Sequence, residues 1–380
     1  MRSHVRKAGG ALLAVAGLVV LSACAGSSSG TASPLSSSSS SSSASAPGGL
    51  QVGVILPDTT SSARYTQYDA PLLTKAFADA GVKADVQNAQ GDNAKFVSIA
   101  QSMISQGVKV LLIDPADPAT GISVETAAKQ AGIKVIDYDR VNLGGSAEYY
   151  VSFDNVAVGK LQGQGLLDCL AAKGKASRAQ VIQLNGGTDI DNNAILFKKG
   201  AHEVFDPAVT AGTIKISQEV DVSKWDNSVA ATNFQQLLTK NGGKVDGVLA
   251  ANDGIAGAAI GVLKSKNLTV PVTGQEARNQ GLQSLLRGRE GMTVFKDVAK
   301  EADAEEKLAI ALVKGDTAGA AALATGTLTD PVGKRDIPSL LLVPQTITKA
   351  NIKDVVTAGA VTTAELCKGV EAACRAAGIS

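Results

Sequence analysis

Two histidines and four cysteines are all that this 380-residue chain carries of the residues most used in metal and nucleophilic chemistry. His4 lies near the start, so a body without the first 23 residues keeps only His202, and besides Cys24 it keeps Cys169, Cys367 and Cys374. A Ser-His-Asp triad, a His-rich metal centre and a Cys₄ zinc site are therefore poorly supported, and neither a metal nor a cofactor is expected. Charge excess is lacking too. Without Arg2, Arg6 and Lys7, 33 Lys and Arg stand against 35 Asp and Glu, a net charge of −2. No basic run is interleaved with aromatics, so nucleic acid is not an expected partner. The apolar run over residues 11–21 is shorter than the roughly 20 residues that a spanning helix needs.

What is present begins with Arg2, Arg6 and Lys7 ahead of that apolar run, which closes on small residues and reads as a secretory signal over 1–23. The tetrapeptide Leu21-Ser22-Ala23-Cys24 is similar to the lipobox of bacterial lipoproteins. That similarity implies cleavage before Cys24 and lipidation of its thiol, with the chain anchored to the outer face of the cell membrane; two acyl chains hold where one barely does. Residues 24–49, mostly serine, have almost nothing to bury and read as a disordered tether with a span of roughly 25 to 30 Å.

From residue 50 short apolar strands alternate with amphipathic helices. "LQVGVILP", "VKADVQN", "VKVLLID", "IKVIDY", "AQVIQLN", "TIKISQEV", "VDGVLAA", "TVPVTG" and "GMTVFK" read as strands. "APLLTKAFADAG" and "AKFVSIAQSMISQG" read as helices between them, with apolar residues at i, i+3, i+4 and i+7. This rhythm predicts an α/β fold of right-handed crossovers and parallel sheets covered on both faces. About 330 residues exceed what one such sheet usually organises, which predicts two lobes.

An internal similarity points to where the chemistry lies. The segments "VKVLLIDPADPATGISVETAAKQAGIKVIDYDR" and "KVDGVLAANDGIAGAAIGVLKSKNLTVPVTGQEA" both run strand, polar tip, helix, strand, polar tip. Asp114 and Asp139 stand 25 residues apart, and Asn252 and Glu276 stand 24 apart. Open α/β sheets bind ligands at the carboxyl ends of their strands, so two sets of tips facing each other predict a cleft.

"YDR", "YYVSFDNVAVGKLQGQ", "GGTDIDNNAILFKKG", "VLAANDGIAGAAIGVL", "VTGQEA" and "MTVFKD" resemble, in this order, the sugar-binding proteins of ABC importers in the type I periplasmic-binding fold, above all the xylose-binding ones. The resemblance implies two lobes, 50–153 with 297–334 and 154–296 with 335–380, joined by hinge strands near 150–155, 296–298 and 335–340. It implies capture of a monosaccharide, D-xylose or a related pentose or hexose, and delivery by a monomer to an ABC permease. Arg64, Asp139, Arg140, Asp191, Asn193, Asn252, Glu276 and Lys296 would bind hydroxyls, with Trp225, and more weakly Tyr65, against the sugar ring. Carboxylates only accept hydrogen bonds and Arg and Lys only donate them, so each can take a defined hydroxyl, while the C–H patches of a pyranose suit an aromatic face. Glu276 departs from the family pattern, which has Asp there, by one methylene.

Simpler roles stand beside these. Asp139 with Arg140 is also what a surface ion pair looks like, and one of Asp191 and Asn193 is expected to cap a helix while Asn193 faces the ligand. His202 reads as a surface or packed residue. On one continuous helix Cys367 and Cys374 would lie about 10 Å apart by rise alone, too far for a disulfide. Gly369 can break that helix, so a bridge stays open, with Cys169 a free thiol. Two other classes remain: a sensor signalling to a membrane kinase through the same pocket, and a sugar-processing enzyme using a carboxylate pair such as Asp139 and Glu276.

Overall fold

A computed structural model describes residues 49–379; the signal, Cys24 and the serine tether lie outside the described residues. Twelve strands occur among the described residues: β1 (Val52–Leu56), β2 (Ala84–Asn88), β3 (Val110–Ile113), β4 (Lys134–Tyr138), β5 (Tyr149–Phe153), β6 (Ala179–Asn185), β7 (Ile214–Asp221), β8 (Gly247–Ala250), β9 (Thr293–Phe295), β10 (Gly326–Asp330), β11 (Arg335–Leu342) and β12 (Gln345–Ile347). They form a seven-stranded sheet in the order β10-β11-β5-β4-β3-β1-β2 and a three-stranded sheet in the order β7-β6-β8, with β9 and β12 as a separate antiparallel pair.

The central strands of each sheet are buried on both faces because they are largely apolar, as in β1, β3 and β8. Along β1, Val54 and Leu56 join a cluster with Leu73, Phe77 and Leu308, and Ile55 joins another with Phe96, Met103 and Val124. β6 splits in the same way. Ile182 and Leu184 pack with Phe197, Phe234 and Ile255, and Val181 packs with Leu166, Leu170 and Phe205. Period-2 alternation between two apolar faces is what a parallel sheet sandwiched by helices requires. Separate cores make two lobes.

Acidic and amide residues at strand ends start the helices. Asp92, Asp117, Asp154 and Asn252 each accept a hydrogen bond from the backbone N–H three residues on, contributing about 1 kcal/mol apiece. The longest contact between helices joins Asn155–Ala172 to Asn192–Thr210. There a Cβ on Gly159 would stand 2.0 Å from the Phe197 carbonyl oxygen, so the backbones meet without side chains between them.

Two expectations are corrected. "TVPVTG" forms no full strand and contributes only single bridges, Val248 with Val272 and Thr273 with Met292. Residues 335–342 do not return to the second lobe. As β11 they pair in parallel with β5, from Ser339 beside Tyr150 to Leu342 beside Phe153, so the chain crosses back at Val343 and Pro344. β12 then pairs with β9, and the C-terminal helices pack through Ile352, Val355 and Leu366 on Leu282 and Leu285 of the helix Asn279–Leu286. Cys367 and Cys374 are joined by a disulfide, their Cα atoms 5.7 Å apart. Gly369, at φ 75°, ends one short helix and lets the next begin at Glu371, which brings the two thiols together. Cys169 is free.

Candidate functional site

β4 ends in the polar run that its apolar half does not explain. Asp137 turns inward and accepts from the backbone and side-chain N–H groups of Asn142 at 2.9 and 2.8 Å. At Asp139 the backbone enters the left-handed region, φ 57°, and the chain leaves the sheet plane. Its carbonyl oxygen accepts from Tyr150 Oη, Ser152 Oγ and Asn193 Nδ2 at 2.9 to 3.0 Å, which fixes the turn.

The Asp139 carboxylate accepts from Arg64 Nη1 at 3.0 Å and Tyr65 Oη at 2.9 Å, with Lys296 Nζ at 3.5 Å. Burial pushes this carboxyl up, but Arg64, Lys296 and Arg140 outweigh it and hold it well below the usual carboxylate range. Arg64 is in turn clamped: Nε and Nη2 donate to Asp69 and Nη2 also to Glu301, on the helix Val298–Lys314. Nearly all its donors are committed within the protein, so it holds Asp139 in place. Tyr65 does the same, because its hydroxyl is engaged and the guanidinium carbons of Arg64 and Arg140 lie 5.7 and 5.6 Å from its ring centroid. That covers the ring that had been expected to offer a second, weaker stacking face.

Arg140 reaches across the cleft. It donates to Ser61 Oγ at 3.0 Å in its own lobe and places Nε 3.4 Å from Asp191 Oδ2 in the other. Asp191 caps the helix Asn192–Thr210 through Asn193 N and also accepts from Trp225 Nε1 at 3.1 Å. Burial pushes its carboxyl up despite Arg140. Asn193 accepts from Asn155 Nδ2 at 2.8 Å and Tyr150 Oη at 3.1 Å, so Asp191 is the cap and the Asn193 amide bridges the lobes. Trp225 packs edge-on to Phe197, centroids 6.2 Å apart, over Gly186 and Gly187, where any Cβ would collide with it. Lys296 Nζ lies 5.7 Å from the rings of both Phe153 and Phe197. Asn252 caps the helix Asp253–Ser265 through its Oδ1.

These residues line one cavity between the two sets of strand tips. Arg64, Tyr65, Asp139, Arg140, Asp191, Asn193, Trp225, Asn252, Glu276 and Lys296 all line it. So do Ser61, Ser62, Phe197 and Gln275, which sequence reading missed. Gln275 was legible, being the neighbour of Glu276 in "VTGQEA"; Ser61 and Ser62 are two of many serines and carry no periodic signal. Glu276 Oε1 accepts from Ser62 Oγ at 2.8 Å and Oε2 from Arg278 Nε. His202 lies apart from this cavity, with Asp206 and Glu219 as partners at 2.9 and 3.3 Å. No group of His, Cys, Asp and Glu among the described residues is arranged to hold a metal ion. Nor is any described helix long and apolar enough to cross a membrane.

Comparison with known proteins gives the arrangement a context. The periplasmic binding protein domain model matches residues 52–317. The chain is 36% identical over 292 residues to the D-xylose-binding periplasmic protein of Escherichia coli, covering 76% of this chain and 84% of that one. It is 34% identical over 317 residues to the multiple sugar-binding periplasmic protein SbpA of Azospirillum brasilense, covering 80% and 87%. Among solved structures, a carbohydrate transporter solute-binding protein from Chloroflexus aurantiacus in complex with D-glucose superposes with a TM-score of 0.74 at 30% identity, over 83% of this chain and 98% of that one.

Proposed function

The chain belongs to the periplasmic binding protein domain family, and from that membership we propose that it captures an aldopyranose between its lobes and presents it to an ABC permease. One observation carries the reading: a pocket between two facing sets of strand tips, lined by alternating acceptors and donors beside an indole. Asp139, Asp191 and the Asn252 amide take the hydroxyl contacts with Arg140 and Lys296, and Trp225 covers a C–H face of the ring. Arg64 and Tyr65 hold Asp139. D-xylose and D-glucose are the first candidates. They share equatorial hydroxyls at C2, C3 and C4, and proteins similar to this chain are named for xylose or solved with glucose. The ion pairs across the cleft favour binding over hydrolysis, because Asp139 is held ionised by cations and is a poor proton donor. The lipid anchor on Cys24 belongs to the same reading and rests on Leu21-Ser22-Ala23-Cys24.

Isothermal calorimetry of the purified chain against D-xylose, D-glucose and a panel of other pentoses and hexoses tests this. One-site binding of at least one aldopyranose is expected. Absence of heat and of any thermal shift across the whole panel removes the reading.

A further inference from the structure

Three side chains from opposite lobes meet at the rim of the cavity, and two of them, Ser62 and Glu276, also line it. Ser62 lies in the loop after β1, and Glu276 and Arg278 precede the helix Asn279–Leu286 of the other lobe. Ser62 Oγ donates to Glu276 Oε1 at 2.8 Å and accepts from Arg278 Nη2 at 2.7 Å, while Arg278 Nε donates to Glu276 Oε2. The ring is closed: the serine hydroxyl has its donor and both acceptor sites used, since Arg64 N also donates to it at 3.2 Å. The Glu276 and Arg278 end is fixed from behind by its own lobe. Glu276 has φ 96° and Ala277 φ 51°, and the turn is pinned by Glu276 N on Val294 O at 2.7 Å and Arg278 N on Asp253 Oδ2 at 2.7 Å. Such a turn cannot follow the first lobe when the lobes part, so opening breaks the two contacts made with Ser62.

The position of this ring says what it separates. On one side Glu276 lines the cavity between the strand tips. On the other it lines a groove of about 250 Å³ between the lobes, bordered by Tyr68, Leu72 and Phe295. The side chains of Glu276 and Arg278 are 10% and 18% exposed, against 3% for Arg64, so the ring sits where the cavity meets the outside. We propose that Ser62, Glu276 and Arg278 form a latch that closes over bound sugar and governs its escape, and that Glu276 is a latch residue and not a hydroxyl ligand. The proposal rests on the monosaccharide reading. It also explains how a cavity open to a wide groove holds a free monosaccharide: the charge-assisted ring walls off the groove, and a substituent pointing that way would have to displace it.

Stopped-flow displacement of D-xylose or D-glucose, whichever the native chain binds, decides the matter on the native chain, Ser62→Ala, Glu276→Gln and the double variant. Losing one charge-assisted contact from the closed form raises koff by about tenfold with kon changed by less than about twofold. The double variant is expected to be no worse than the worse single, since both remove one ring. The ratio of affinities for pentose and hexose stays as in the native chain. An unchanged koff, additive effects, or an altered ratio after Glu276→Gln overturns the latch while leaving the sugar reading intact. If the native chain binds no pentose or hexose, both fall together.

Discussion

Asp139 shows how one residue can be too well embedded to be a clean probe. Three cations surround its carboxylate, and removing it leaves Lys296 buried without the carboxylate it pairs with, while Arg64 keeps Asp69 and Glu301. Stranding a buried charge costs about 3 to 5 kcal/mol, so Asp139→Ala confounds affinity with stability. Asn252 separates the two. Its Oδ1 caps the helix Asp253–Ser265 through Ile255 N at 2.8 Å, and the residue also lines the cavity. Serine is an equally good cap but lacks the amide donors. Asn252→Ser is expected to weaken sugar binding by about tenfold, the worth of one lost buried hydrogen bond, with a melting temperature close to native. Calorimetry and a thermal melt on the same sample check both halves; native affinity removes Asn252 from the binding set.

Among elements, the helix pair Asn155–Ala172 and Asn192–Thr210 fixes the second wall of the site, because Asn155, Asn193 and Phe197 all ride on it. Its closeness depends on glycine at Gly159 and Gly200, where a Cβ would stand 2.0 Å from Phe197 O and 2.1 Å from Val156 O. Backbone cannot yield as a flexible side chain can. Gly159→Ala is expected to cost about 1 to 3 kcal/mol and to displace Phe197 from Lys296, read as a lower denaturation midpoint together with weaker sugar binding. Much at this scale was legible, since strand period and Asx caps are local properties. β1 to β4 and β6 to β9 fall where the apolar runs stand, and the polar tips converge. What was not legible depends on partners far away in the chain. Nothing within "RDIPSLLL" says that it pairs with β5, 186 positions from Arg335 back to Tyr149, and so the third crossing was placed too early. Glu301 was missed for the same reason: it meets Arg64 across 237 positions and leaves no periodic trace.

The molecule as a whole buries many carboxyls, and most have their acidity weakened. Burial raises Asp114, Asp137, Glu290 and Glu305 well above ordinary carboxylate values, and brings Asp253 and Glu301 each to about 7. Asp139 is shifted the other way. In the unfolded chain the same groups titrate near their ordinary values of about 4. Between about pH 4 and pH 7 the folded form therefore keeps protons that unfolding releases, and stability falls as pH rises through that window. Asp253 and Glu290 make this testable. A Cβ on Gly274 would lie 2.0 Å from Glu290 Oε1 and 2.2 Å from Asp253 Oδ1, so the two carboxyls share one small space in the second lobe. Glu290 Oε1 is buried without a hydrogen-bond partner. Glu290→Gln supplies an N–H to Asp253 and removes the like charge, so Asp253 ionises nearer its ordinary value. Thermal melts from about pH 5 to pH 8 are expected to show the native melting temperature falling more steeply than that of Glu290→Gln. Parallel curves would mean that the pair does not share its proton.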